Sequence, residues 1–216
     1  MSREKSVCCR QGTEIRLNPK PCPEDKMKRS GVILSFGGGG FTHGSDPELE
    51  DFCLGLLPPK PALGYVGWAH TNDESRVDRF YTRFRSSAGS LSHLPKVTSE
   101  TETREWLAGK DMVYFGGGNT AQLIASLTAR HAQAAFLAAN RNGCTLAGVS
   151  AGGVCWFDWI LSNAGGGGYR PLQGLSAVTG GVCPHFDSEP RRKPLLGLAA
   201  TRRAETSTFA IDDGAG

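Results

Sequence analysis

The stretch CTLAGVSAGG, at residues 144–153, indicates the fold class of this chain. Its apolar first part, which ends at Val149, is typical of a buried strand. Small residues follow at once and predict a sharp turn into a helix, which we expect over residues 152–161. Ser150 stands at this turn in the pattern G-x-S-x-G. In a strand–turn–helix context, that pattern presents a serine hydroxyl at the end of a sheet.

Strand and helix patterns alternate on both sides of this stretch. The strands are expected at 32–36, 63–68, 112–115, 178–183 and 208–211, and the helices at 46–56, 72–84, 99–107, 121–127, 131–140 and 189–200. We expect Asp46 to be the N-cap of the first helix. This alternation predicts an α/β fold with a mostly parallel sheet and helices on both faces.

The length of 216 residues predicts one domain. Residues 1–30 combine prolines and many charges with little periodicity, so we expect a poorly ordered leader there and a folded domain over 31–216. Met27, just before the first strand, is an alternative start of the chain.

Composition argues against several classes of function. The net charge of +3 is small and its charges are interspersed, so we expect no nucleic-acid partner. The sequence contains no signal-peptide pattern and no apolar run of about 18 residues, which predicts no membrane partner and a cytoplasmic location. Cysteines occur without a C-x-x-C pair, and we expect reduced, buried thiols and no zinc site.

A serine hydroxyl needs a base, and the base needs an acid to orient it. His185, in the segment CPHFD at 183–187, follows the strand after the turn and is the preferred base; His70 also ends a strand and competes. The acid is expected in the Asp212-Asp213 pair, with Asp187 and Asp158 as alternatives. Asp158 is expected to lie too far along the helix that follows Ser150.

The oxyanion formed on attack needs two N–H donors. The N–H of Ala151 is one candidate, and the glycines at 116–118, which follow a strand, could supply the other. These glycines also match the dinucleotide pattern G-x-G-x-x-A. That pattern requires an acidic residue about 20 positions later, and none occurs between Asp111 and Asp158, so we reject this reading.

Together these segments resemble the peptidase E family, which comprises aspartyl dipeptidases and their cyanophycinase relatives. The resemblance rests on motifs that occur in the family's order over residues 31–216: the glycines at 37–39, YFGGGNT at 114–120, GVSAG at 148–152, CPHFD at 183–187 and AIDDGA at 210–215.

The resemblance implies a flavodoxin-like three-layer sandwich related to the class I glutamine amidotransferases. It implies a serine peptidase triad of Ser150, His185 and Asp213, with Asp212 as second choice for the acid. The oxyanion donors would be the N–H groups of Gly117 and Ala151.

The resemblance also implies a short peptide substrate, which could be a dipeptide with an N-terminal Asp, and no metal or organic cofactor. We expect Asn119, Asp187 and Arg192 to bind this substrate; Arg170 and Arg191 are further candidates for a cation that holds its carboxylate. We expect a monomer or a homodimer.

Other functions are weighed against this interpretation. Relatives continue beyond the acid, so the domain is expected to be truncated at its C-terminus, which leaves a catalytically inactive binding protein as one alternative. An esterase-type serine hydrolase is another, although in that class the acid precedes the histidine. A glutamine amidotransferase would need a cysteine in place of Ser150.

Overall fold

The computed structural model describes residues 31–187, 190–202 and 207–216. The predicted leader at 1–30 and the alternative start at Met27 lie outside these residues, as does the predicted beginning of a helix at Glu189.

The described residues contain nine strands and seven helices. The strands are β1 Ile33–Phe36, β2 Ala62–Val66, β3 Ser90–His93, β4 Met112–Phe115, β5 Thr145–Val149, β6 Phe157–Ser162, β7 Arg170–Gln173, β8 Val178–Cys183 and β9 Thr208–Ala210. The helices are α1 Glu48–Gly55, α2 Glu74–Phe84, α3 Glu100–Leu107, α4 Thr120–Ala129, α5 Ala132–Arg141, α6 Ala151–Val154 and α7 Arg192–Arg202.

The first five strands form a parallel sheet in the order β1-β5-β4-β2-β3. Strand β4 shows why helices cover both faces. Its four residues are fully buried and alternate in direction: Met112 and Tyr114 pack with α1 and α2, whereas Val113 and Phe115 pack with α3, α4 and α5. Because successive side chains of a strand point to opposite faces, the sheet has an apolar layer on each side. The predicted α/β fold class is confirmed.

The remaining strands form a second sheet in the order β7-β6-β8-β9, in which only β6 and β7 are antiparallel. An isolated parallel bridge between Gly38, after β1, and Asp213, after β9, joins the ends of the two sheets. This bridge brings the last described segment of the chain to the carboxyl end of β1.

The predicted helix over residues 152–161 is wrong for most of its length. Helix α6 ends at Val154, and β6 begins at Phe157. The neighbours Trp159 and Ile160 pack in different apolar clusters, as expected for a strand. Phe157, however, packs with Ile160 and not with Trp159, because the pairing register between β6 and β8 shifts between Phe157 and Trp159. This irregularity interrupts the alternation that would have indicated a strand. Asp158, expected on a helix, therefore lies on β6.

Two further differences concern short segments. Asp46 is not the N-cap of α1: it has a φ of 49°, and Pro47 occupies the cap position. Strands β3 and β7 have few apolar residues and lie at sheet edges, so the sequence did not predict them.

The four cysteines of the described residues are buried, as expected: Cys53, Cys144, Cys155 and Cys183. No helix among the described residues combines the length and apolar character needed to cross a bilayer.

Candidate active site

Ser150 lies at the bend between β5 and α6. Its backbone has φ 50° and ψ −124°, a conformation that non-glycine residues adopt rarely. The bend is held on both sides, because the Ser150 N–H donates to the carbonyl of Phe36 at 2.8 Å and the Ser150 carbonyl accepts from the N–H of Gly153 at 3.0 Å. The strained turn that G-x-S-x-G predicts is therefore present in the backbone.

The glycines around Ser150 allow main chains to pass closely. A Cβ at Gly148 would lie 2.5 Å from the carbonyl group of Gly152, and one at Gly152 would lie 2.1 Å from the carbonyl oxygen of Phe115. Such distances are far below van der Waals contact. Glycine is therefore needed at both positions for β4, β5 and α6 to meet beside the serine.

A chain of hydrogen bonds joins Ser150, His185 and Asp213. The Nε2 atom of His185 lies 2.8 Å from the Ser150 Oγ, and its Nδ1 lies 2.5 Å from Asp213 Oδ1. An ionised carboxylate only accepts, so Nδ1 carries the proton in the neutral ring and Nε2 offers a lone pair to the serine hydroxyl. This is the tautomer that a general base at Ser150 needs.

The other acidic residues considered from the sequence make different contacts. Asp158 accepts the N–H of Gly180 at 2.8 Å. Asp187 accepts the backbone N–H of Asp213 at 3.1 Å, so its side chain fixes the segment that carries the acid. Asp212 is exposed, and its carbonyl accepts the N–H of Ala215. Of the acids considered from the sequence, Asp213 is the one that contacts His185.

Two backbone features aim the imidazole at Ser150. His185 has a φ of 52°, directly after β8. The segment that carries it is bonded to the end of β9 on both sides, since the N–H of Ile211 donates to Cys183 and the N–H of Phe186 donates to Ile211. His185 and Asp213 are therefore presented by two neighbouring, cross-linked loops.

His70 does not contact Ser150. It follows β2 and lies against Gly118, in a half-buried position. Burial, followed by the charge of Arg76, lowers the pKa of His70 below its usual value, and the charge of Asp73 opposes this change. From the sequence, His70 was the competing candidate for the base. The structure places it on the side of the glycine loop that is opposite Ser150.

The glycine loop after β4 runs beside the serine. A Cβ at Gly117 would lie 3.3 Å from the Cβ of Ser150. The N–H groups of Gly116 and Asn119 donate to carbonyls of Val66 and Ala69, whereas those of Gly117 and Gly118 donate to no backbone carbonyl of the described residues. The N–H of Ala151 begins α6 and so has no acceptor within that helix. Bare N–H donors are therefore available on two sides of the hydroxyl.

A cavity of about 280 Å³ opens beside Ser150. Its lining includes Asn119, Ser162, Asn163 and Arg191. Small-molecule sites commonly enclose about 300–1,000 Å³, so this cavity suits a small ligand such as a short peptide.

Of the three residues expected to bind substrate, one lines this cavity. Asn119 does so, although its side chain also accepts the N–H of Gln122 as the cap of α4. Asp187 contacts Asp213, as described above. Arg192 is exposed and stacks on the ring of Phe186, 5.4 Å from its centroid, outside the cavity.

Two residues near the site, His43 and Asn163, were not singled out from the sequence, and Gly38 was considered only as part of the glycine motif at 37–39. Gly38 pairs with Asp213, and the ring centroid of His43 lies 6.4 Å from that of His185. Asn163 lies in the cavity wall because β6 is a strand where a helix was expected. Only the run of glycines at 37–40 could have indicated a close approach.

Known proteins share this sequence pattern and architecture. A model of peptidase family S51 matches residues 33–216. An uncharacterized peptidase, YgaJ, of Bacillus subtilis (strain 168) is 29% identical over 186 residues, which cover 85% of this chain and 80% of that protein.

Two solved structures have the same fold. A peptidase from an acI-B1 Actinobacterium superposes with a TM-score of 0.59 at 21% identity, covering 86% of this chain and 82% of that one. A putative peptidase E protein from Listeria monocytogenes EGD-e superposes with a TM-score of 0.58 at 20% identity, covering 84% and 89%. Since the family model matches residues 33–216 of the 216-residue chain, the chain belongs to peptidase family S51 and is a serine-type peptidase.

Proposed function

We propose that this peptidase cleaves short peptides through a covalent acyl-enzyme, with Ser150 as nucleophile, His185 as base and Asp213 as the acid that orients the base. The observation that carries the proposal is the hydrogen-bond chain from Ser150 Oγ through both ring nitrogens of His185 to Asp213 Oδ1. The tautomer that this chain requires leaves Nε2 ready to accept the hydroxyl proton.

In the first half-reaction, Ser150 Oγ attacks the scissile carbonyl carbon while its proton moves to His185 Nε2. The negative charge that develops on the carbonyl oxygen is stabilised by the N–H of Ala151 and by an N–H of the glycine loop, for which Gly117 and Gly118 both qualify. The C–N bond then breaks. The imidazolium gives its proton to the departing amine, and the acyl group remains on Ser150 as an ester.

In the second half-reaction, water takes the place of the amine. His185 removes a proton from it, the oxygen attacks the ester carbonyl, and the proton returns to Ser150 Oγ as the ester bond breaks. Asp213 keeps its negative charge throughout and stabilises each imidazolium that forms.

We further propose that the preferred substrates are dipeptides with an N-terminal Asp, and that Arg191 contacts their side-chain carboxylate. Arg191 is buried, lines the cavity beside Ser150, and donates through Nη1 to the carbonyl of Leu161 at 3.2 Å. Its guanidinium also stacks on Tyr169, 4.7 Å from the ring centroid. A guanidinium fixed in this way can bind a carboxylate in two parallel hydrogen bonds. The small volume of the cavity supports the proposal that the substrate is a short peptide.

A fluorophosphonate probe and a dipeptide panel test the proposal. We expect the probe to modify Ser150, as located by peptide mapping, and to leave the Ser150→Ala variant unmodified. Asp-Leu should be hydrolysed faster than Glu-Leu, Asn-Leu or Leu-Leu. If folded wild-type protein takes up no probe at Ser150 and hydrolyses none of the dipeptides, the proposed mechanism is wrong.

A further inference from the structure

Arg191, a buried cation that lines the cavity beside Ser150, has a fixed backbone position. Its carbonyl accepts the N–H of Leu195 at 2.9 Å, so Arg191 stands directly before the first turn of α7. Leu195 is itself buried in an apolar cluster with Trp159, Leu161 and Cys183. An arginine side chain is long and flexible, so a fixed Cα alone does not decide where its guanidinium lies.

Two contacts with the hairpin of β6 and β7 hold this side chain. The Nη1 atom of Arg191 donates to the carbonyl of Leu161, on β6, at 3.2 Å. The Cζ atom of Arg191 lies over the ring of Tyr169, the residue before β7, at 4.7 Å from the ring centroid. A single hydrogen bond lets a planar group rotate about it, whereas an aromatic ring against its face opposes that rotation. The orientation of the guanidinium therefore depends on Tyr169.

Tyr169 is placed by the hairpin itself. Its ring is half-buried and packs against the same apolar cluster. Before it, the chain turns through three glycines at 166–168, whose φ values are 74°, 70° and 98°. After it, Arg170 pairs with Ser162 in the antiparallel register of β7 and β6. The turn and the strand pairing thus bring the ring to the position that covers Arg191.

The same hairpin forms one wall of the cavity. Ser162, at the end of β6, and Asn163 and Ala164, in the loop after it, line the cavity together with Arg191. Because the cavity is small, a carboxylate inside it can approach the guanidinium from few directions. Two parallel hydrogen bonds between a guanidinium and a carboxylate form only when the two planar groups are aligned. The ring that fixes the plane of Arg191 therefore decides whether this pairing can form.

We propose that Tyr169 is a specificity-determining residue, which holds the plane of the Arg191 guanidinium so that the side-chain carboxylate of an N-terminal Asp is bound in two parallel hydrogen bonds. The inference rests on the proposed function, because it requires that Arg191 contacts this carboxylate. Tyr169 is a positioning residue: it acts through Arg191 and takes no part in the attack by Ser150. Its substitution should therefore affect the choice of substrate and not the chemistry of the triad.

Three substitutions separate this role from simple packing. Tyr169→Leu keeps an apolar side chain against the cluster but removes the ring, whereas Tyr169→Phe keeps the ring. Tyr81→Leu is the matched control, since Tyr81 is also half-buried but its ring contacts Phe80 and His93, on α2 and β3. Each variant is first checked for wild-type circular dichroism and for fluorophosphonate labelling of Ser150. Steady-state kinetics on Asp-Leu and Leu-Leu then give kcat/KM for both dipeptides.

We expect Tyr169→Leu to lower the ratio of kcat/KM for Asp-Leu to that for Leu-Leu by about 3- to 10-fold, because the guanidinium loses its cation–π contact and its fixed plane. The loss should appear as a higher KM for Asp-Leu with kcat within about twofold, since the carboxylate is bound equally before and during the attack. Tyr169→Phe and Tyr81→Leu should keep the wild-type ratio. In Arg191→Met, the addition of Tyr169→Leu should leave the ratio unchanged, because the two residues act through one contact.

The inference is overturned if folded Tyr169→Leu keeps the wild-type ratio, if it lowers kcat/KM for both dipeptides alike, or if Tyr169→Phe is as impaired as Tyr169→Leu. An equal further fall of the ratio in the Arg191→Met background would also overturn it, because Tyr169 would then act independently of Arg191. Failure of the proposed function is recognised without any Tyr169 variant: the wild type takes up no probe at Ser150 or does not prefer Asp-Leu, or Arg191→Met keeps the preference.

Discussion

Gly38 and Asp213 approach so closely that a Cβ on the glycine would stand 1.9 Å from the Asp213 Oδ1 atom and 2.7 Å from His185 Nδ1. The two residues are also paired as a parallel bridge, and the N–H of Gly214 donates to the Gly38 carbonyl at 3.1 Å. The absence of a side chain at position 38 is therefore a geometric requirement of the contact between His185 and Asp213.

Gly38→Ala should displace either Asp213 or His185 and lower kcat by about 100-fold or more, because misplacement of a catalytic group by about 1 Å can have that effect. Steady-state kinetics measure the loss. Gly55→Ala is the matched control: nothing lies within 4 Å of the added methyl group, so activity should stay unchanged. If Gly38→Ala keeps the wild-type kcat, activity does not require Asp213 to occupy its observed position.

Arg191→Met should remove the preference for Asp at the N-terminus of the dipeptide. The ratio of kcat/KM for Asp-Leu to that for Leu-Leu should fall about 10-fold or more, since a hydrogen-bonded charge pair contributes about 1.5–3 kcal/mol. Arg192→Met serves as control, because Arg192 stacks on Phe186 outside the cavity. Equal effects of the two substitutions would contradict the assignment to Arg191.

Glu50 should make the stability of the protein depend on pH. Its side chain is fully buried, accepts the N–H of Phe41 at 3.2 Å and lies 3.5 Å from Arg83 Nε. Burial raises the pKa of Glu50, and this outweighs the bond from Phe41 and the charge of Arg83. The stability associated with this shift is present below the unfolded-state pKa of about 4.5 and is lost as the pH rises through the higher native pKa.

Glu50→Gln cannot ionise, so its free energy of unfolding relative to the wild type should increase as the pH is raised from about 4.5. Urea unfolding at several pH values measures this difference. The exposed Glu48→Gln serves as the control and should follow the wild type. A difference between Glu50→Gln and the wild type that does not vary with pH would contradict the expectation.

The buried thiols should resist alkylation in the native protein. Burial raises the pKa of Cys53 and of Cys144 to about 12, and raises that of Cys155 further. Since the thiolate is the reactive form, iodoacetamide at pH 8 should leave these three residues unmodified until urea unfolds the chain. Mass mapping of the alkylated peptides before and after unfolding gives the result. Rapid native modification of any of the three would refute it.

Sequence patterns predicted the parts of the site that are local or that parallel strands bring together. The turn at Ser150 is encoded within ten residues, and His185 follows a strand whose carboxyl end meets the same edge. The contact between Gly38 and Asp213 is different, because it joins segments from opposite ends of the domain. No local pattern encodes such a pairing.

Adjacent arginines show a second limit of sequence reasoning. Helix α7 begins at Arg192, and the last residue before it, Arg191, turns toward the cavity while Arg192 faces Phe186. A difference of one position in where a helix begins decides which guanidinium lines the site, and helix boundaries are the least certain part of a prediction. A separate error, the helix predicted over residues 152–161, concealed β6 and with it the cavity wall at Asn163.

The left-handed backbone at Ser150 and at His185 has an energetic consequence for the whole molecule. Each such residue costs on the order of 1–3 kcal/mol, which is a sizeable part of the marginal stability of a domain. We expect Ser150→Gly to relieve part of that cost and to raise the thermal stability, while removing the proposed nucleophile. If so, the backbone conformation that presents the serine hydroxyl is maintained at the expense of thermal stability.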